Sequence, residues 1–236
     1  MITTIMMAAT GRGAIASIKR RDGEISEIAI FNANASIATV TITGRYINDA
    51  FADAVKVVDI EPGQTLVLTT VQLGLITNEA AGIEISSTLP VSMMSAETQL
   101  GEANASGASI QAAQAWFFGD AFINSLLAGD QYFETLSFYN PTDSQITVEI
   151  VLLFSNAEQV TITIDVDARD FAQLDLHKAD EILSRPDPLN FFSIMTSAAV
   201  PFVSQLTHYD LFLRGGWGNT GGNLGLLNSI ATIIDA

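Results

Sequence analysis

The chain has no cysteine, which excludes disulfides, thiolate metal centres and a cysteine nucleophile. Basic residues are scarce: ten Lys and Arg stand against 26 Asp and Glu, for a formal net charge of −16. So few cations cannot displace the counterions of a nucleic acid or hold the chain on an anionic bilayer. No nucleic-acid partner is expected. Apolar runs of the roughly 20 residues that a transmembrane helix needs are missing as well, so no membrane span is expected. The opening stretch, MITTIMMAATGRGAIASIKRRDG, has no basic residues ahead of its apolar part, and Arg12 interrupts it early; it does not read as a signal peptide. The two histidines, His177 and His208, lack metal-ligand spacing, and no G-x-S-x-G elbow presents a nucleophile. His208 and Asp210 alternate onto one face of a strand, where they read as a surface pair. No catalytic residue, metal site or cofactor is expected.

What the chain does have is alternation. Its 236 residues are 48% apolar, enough for a substantial core despite the charge. Segments such as EIAIFNANASIATVTITGRYI, TVEIVLLF and QVTITIDV repeat Val, Ile and Thr with period two, the pattern of half-buried strands. Pro62-Gly63 breaks KVVDIEPGQTLVLTTV into two extended runs. Only LDLHKADEILSR offers helical spacing, with Leu176, Ala179, Ile182 and Leu183 on one face and Pro186 as a stop.

The same patterns occur twice. EIAIFNANASIATVTI aligns with TLSFYNPTDSQITVEI at a shift of 108 residues, matching Asn32 to Asn140, Val40 to Val148 and Ile42 to Ile150. SSTLPVSMMSAET aligns with SAAVPFVSQLTHY at a shift of 111, Pro90 opposite Pro201. Each half then closes on a stretch rich in Gly and Asn. Two tandem antiparallel β-sandwich domains of immunoglobulin-like size, 1–110 and 111–236, related by internal duplication, are the expected architecture.

The second half resembles a family on specific residues: Trp116, Phe117 and Phe118, then Tyr139-Asn140-Pro141, then the glycine-rich 215–225 ending. These are similar to the tandemly repeated immunoglobulin-like β-sandwich domain of bacterial surface and secreted proteins. The chain departs from that pattern at Gly119-Asp120, and the first half keeps only Asn32 of the Asn-Pro pair. The resemblance implies an extracellular or cell-surface, non-catalytic repeat module.

Three motifs have sharper alternatives. Gly216-Trp217-Gly218-Asn219-Thr220-Gly221 matches G-x-G-x-x-G, but neither a helix-forming continuation nor a βαβ pattern accompanies it. It reads instead as a flexible connection across the sandwich end, with Trp217 either packed as a plug or exposed as a contact. Asp165, Asp167 and Asp170 in DVDARD lack the remaining ligands of a calcium loop and read as a solvated turn. The apolar ends, ITTIMMAA and LLNSIATIIDA, complete their own sheets or exchange with a neighbouring copy. The functional expectation is therefore a structural or interaction protein that self-associates, as a homo-oligomer or fibre, through sheet edges or tails. The alternative is a carbohydrate-binding module that stacks sugars on Trp217, Trp116 or Tyr209.

Overall fold

The computed structural model describes residues 11–48, 50–99, 102–107, 112–211, 215–219 and 222–223. Both apolar ends, and with them the proposed tail exchange, lie outside the described residues. The chain forms two compact units, Met1–Gln111 and Ala112–Ala236, and both are built almost wholly of antiparallel strands. The expected all-β sandwich class is what the chain adopts.

The first unit contains β1 (Arg12–Lys19), β2 (Glu27–Phe31), β3 (Ala38–Tyr46), β4 (Ala54–Ile60), β5 (Thr65–Thr69), β6 (Ala80–Ser87), β7 (Ser92–Gln99) and β8 (Glu102–Gly107). One layer runs in the order β1-β6-β3-β4, the other β5-β2-β7-β8. The period-two pattern does its expected work here. Ala38, Val40, Ile42 and Tyr46 of β3 are buried, alternating with half-buried Thr39, Thr41, Thr43 and Arg45. Ile28 and Ile30 face them from the second layer in a single apolar core. Gly63 takes a φ of 72° in the Pro62-Gly63 turn, where a side chain would be strained.

The second unit contains β9 (Ala113–Asn124), β10 (Tyr132–Tyr139), β11 (Ile146–Phe154), β12 (Gln159–Val166), β13 (Phe171–Asp175), β14 (Leu189–Asp210), β15 (Gly215–Asn219) and β16 (Gly222–Asn223). Between β13 and β14 a 3-10 turn (Leu176–Lys178) runs into one helical turn, α1 (Asp180–Leu183). Leu176, Ala179 and Ile182 are buried there, as the helical spacing implies. β14 spans 22 residues and serves both layers. Its first half pairs with β9 and β11, its second with β10 and β15. The layers are therefore β9-β14-β11-β12 and β13-β10-β14-β15.

Strand for strand, this is the order of the first unit. The difference is at the crossover: the first unit divides the run into β6 and β7 around Pro90, while the second carries it unbroken through Pro201. Asn32 and Asn140 occupy matching corners, both fully buried. The Asn32 amide donates to the Ser36 and Ile60 carbonyls, and its Oδ1 accepts from the Asn34 backbone. The Asn140 amide donates to the Ser144, Val166 and Asp167 carbonyls, and its Oδ1 accepts from the backbone and hydroxyl of Thr142. One side chain thus ties the end of β2 or β10 to the loop after it and to the end of β4 or β12.

Candidate functional site

The three aromatic residues expected to contact a ligand do not form a common surface. Trp116 lies inside the second core at 4% exposure, its indole N–H donating to the Phe202 carbonyl at 2.9 Å. Tyr209 is 2% exposed. Neither offers a ring face to a sugar, which corrects their assignment as contacts. Trp217 is placed on β15 opposite His208, and its side chain lies outside the described residues.

The glycine motif also has a different form from the one expected. Gly215–Asn219 is not an open connection but a strand hydrogen-bonded along β14, and Gly222–Asn223 pairs with β9 at Trp116 and Phe117. The segment crosses from one layer to the other with a strand on each side. Its described residues lie in extended strands, which is not how a phosphate cradle at a helix start is built.

His208 and Asp210 do share a face, but it is the interior face. His208 is 7% exposed and Asp210 8%, and Glu134 lies directly across from His208 at 0%. The His208 Nδ1 stands 3.7 Å from Glu134 Oε1, and Asp210 lies across from Tyr132. Burial, reinforced by the Asp210 carboxylate, raises the Tyr132 phenol above its ordinary range. The His177 Nδ1 meets the Glu134 backbone, 3.1 Å from its N–H and 2.9 Å from its carbonyl; the ring tautomer decides which bond operates. Sequence reasoning missed this cluster because alternation identifies two faces of a strand without saying that both are covered. From Phe202 to Asp210, only Thr207 escapes full burial. The cluster is a buried acid-imidazole network, and its visible role is to hold β10, β14 and the 3-10 turn together.

A half-buried acid sits at the matching end of the first unit. Glu97 on β7 is paired with Arg21. Burial pushes its carboxyl up, against the downward pull of the guanidinium. Asp175 shows the opposite balance: burial alone would raise it, but Lys178, His177 and Thr135 together hold it below the ordinary aspartate range.

Asp165 and Asp167 of DVDARD are tied to neighbouring side chains, and Asp170 accepts from the Phe171 backbone N–H. Thr147 donates to Asp165 at 2.6 Å and Gln145 to Asp167 at 2.6 Å. Arg169 takes a φ of 59° and reaches Asp143. Among the described residues, no group of three His, Asp or Glu is placed to hold a metal ion, and no helix is long and apolar enough to cross a membrane.

The surface features that stand out are sheet edges. β4 and β12 each end the first layer of their unit. Val55, Val57 and Asp59 project outward from β4; Gln159, Thr161, Thr163 and Asp165 project outward from β12, all exposed. The Thr39–Asp59 bond on β3 and β4 matches the Thr147–Asp165 bond on β11 and β12.

No protein-family model matches the chain, and no curated protein sequence does. Among solved structures, Thermotoga maritima 1070 is 28% identical over 42% of this chain and 82% of its own, with a TM-score of 0.36. The Anabaena sensory rhodopsin transducer is 22% identical over 40% of this chain and 95% of its own, at 0.34. The PBSX exported protein XepA is 10% identical over 84% and 85%, at 0.25. TM-scores this low identify neither a fold family nor a function.

Proposed function

We propose that this chain is a non-catalytic structural or interaction protein of a cell exterior, built from two copies of one immunoglobulin-like β-sandwich unit and able to self-associate through its sheet edges. The observation that carries this reading is the pair of outer strands β4 and β12, which end their layers with exposed side chains and no further strand among the described residues. An unpaired edge is a row of backbone donors and acceptors ready to receive another strand. The interior acids and histidines, by contrast, are enclosed and mutually engaged. The acidic surface and the lack of thiols suit an exposed, oxidising setting.

Light scattering across a concentration series tests the reading. Multimers are expected, favoured at high salt. Raising ionic strength from 0.15 to 1 M shortens the screening length from about 8 to about 3 Å and damps repulsion between copies that each carry −16. A chain that stays monomeric under all these conditions overturns it.

A further inference from the structure

The edge of β12 has a property that β4 lacks: it complements itself. The direction of its backbone groups follows from the hairpin with β11. The Phe154 N–H donates to the Glu158 carbonyl, while that of Ser155 donates to Phe191 on the other side. Successive residues of an antiparallel strand aim their backbone groups to alternate sides. Even-numbered residues of β11 therefore serve β12. Since Ile150 lies opposite Ile162, even-numbered residues of β12 serve β11 in return. Gln159, Thr161, Thr163 and Asp165 aim their N–H and C=O groups outward.

Natural edges are blunted by inward-pointing charges, proline or bulges. β12 has none of these. It contains no Pro or Lys, and its eight-residue register with β11 is unbroken. Its half-buried side chains are Val160, Ile162 and Ile164, all packed on the core. The matching position to Ile162 in the first unit is Lys56, in the middle of β4, whose ammonium donates to the Gln72 carbonyl at 3.0 Å. A strand added to β4 would crowd that ammonium away from water. β5 and β13 are shorter, at five residues each, and the β9 edge is partly taken by β16.

We infer that β12 pairs antiparallel with β12 of a second copy, about a two-fold axis at Ile162, joining two four-stranded layers into one continuous sheet. The strand QVTITID fits this operation from end to end. Thr161 meets Thr163 of the partner copy on the outer face, and the Gln159 amide meets the Asp165 carboxylate as a donor. On the inner face Val160 meets Ile164, and Ile162 meets itself. No like charges fall opposite each other, and all four outward residues enter hydrogen-bonded pairs. The inference rests on the self-association reading above and names its surface.

The test uses the full chain. Thr161→Lys/Thr163→Lys and Thr161→Glu/Thr163→Glu each place like charges opposite one another twice, on exposed side chains that leave the core intact. Each double variant alone should raise the dimer Kd by about tenfold or more, and an equimolar mixture should recover a heterodimer. Val55→Lys/Val57→Lys on β4 should leave the Kd unchanged. In the unsubstituted protein, the amides of Thr161 and Thr163 should exchange slowly when dimeric and quickly on dilution. A multimer unaffected by the β12 substitutions, or amides that exchange alike at both concentrations, overturns the β12 interface and leaves self-association standing. A chain that never multimerises overturns both.

Discussion

Lys56 and Ile162 hold the same place on the same strand of two units with one strand order, and they give those strands opposite characters. On β4 the inward ammonium reaches across to Gln72, while Val55 and Val57 stand 62% and 61% exposed. On β12 the inward residue is apolar and the outward ones are threonines. A charge turned inward at an edge guards it even when its outward face is oily; an apolar inward face leaves the edge open even when its outward face is polar. Whether a strand accepts a neighbour is thus decided less by what it shows to solvent than by what a second strand would have to bury.

Removing the guard is the sharpest way to break this contrast. Lys56→Ile takes the inward charge off β4, and a protomer with a second edge able to receive a strand links into open chains rather than closed pairs. Light scattering should change from a discrete species to a broad, concentration-dependent distribution. An unchanged discrete species would show that β4 is closed for some reason other than its lysine.

The asparagine corners are the next largest difference to probe. Asn140→Ala strips partners from three carbonyls and from two Thr142 groups, and should cost about 3 kcal/mol or more. Asn32→Ala, which strips a partner from two carbonyls and from two Asn34 groups, should cost somewhat less. Both tryptophans belong to the second unit, so urea unfolding followed by tryptophan fluorescence reports the Asn140 loss directly. Equal effects of both substitutions on that signal would mean that it does not distinguish the units.

A smaller effect is expected in the core. Ile85 pairs with Ile42 on β3, and Thr196 pairs with Ile150 at the matching place on β11. The Thr196 hydroxyl is buried without a hydrogen-bond partner among the described residues. Thr196→Val keeps the shape and removes the desolvated hydroxyl, so it should stabilise the second unit by about 1 kcal/mol, read as a higher denaturation midpoint. A loss of stability would reveal a partner for that hydroxyl.

The pH response is the smallest contrast. Glu97 has its folded pKa raised, so the first unit binds that proton more tightly than the unfolded chain does. Its contribution is most favourable below about pH 4 and is lost as pH rises through the folded value. Asp175 has its folded pKa lowered, so its contribution is present above about pH 4 and is lost as pH falls through the folded value. Thermal melts across pH 3 to 7 should lose the first trend in Glu97→Gln and the second in Asp175→Asn. Identical profiles in both variants would contradict the assigned signs.

The strands were legible because Val, Ile and Thr alternate where one face is buried and the other wet, as on β3, β11 and β12. The short helical segment was legible from Leu176, Ala179 and Ile182 in the same way. The interior place of Trp116, Tyr209 and His208 was not. β10 and the second half of β14 are buried on both faces, and alternation carries no sign of which polar residues are enclosed. β15 was missed for another reason: a glycine-rich strand has almost no side-chain pattern, and it is extended because β14 offers it an edge. The openness of β12 is written in single residues, and became readable only once β4 was placed beside it.

β14 has one more consequence. Its 22 residues tie both layers of the second unit to a single length of backbone, whereas the first unit hands over between layers through the loop at Pro90. A pull applied to one layer of the second unit reaches the other along a single strand held by neighbours in both layers, like a load carried by one continuous cable. In the first unit the same pull must pass through a bend that can straighten first.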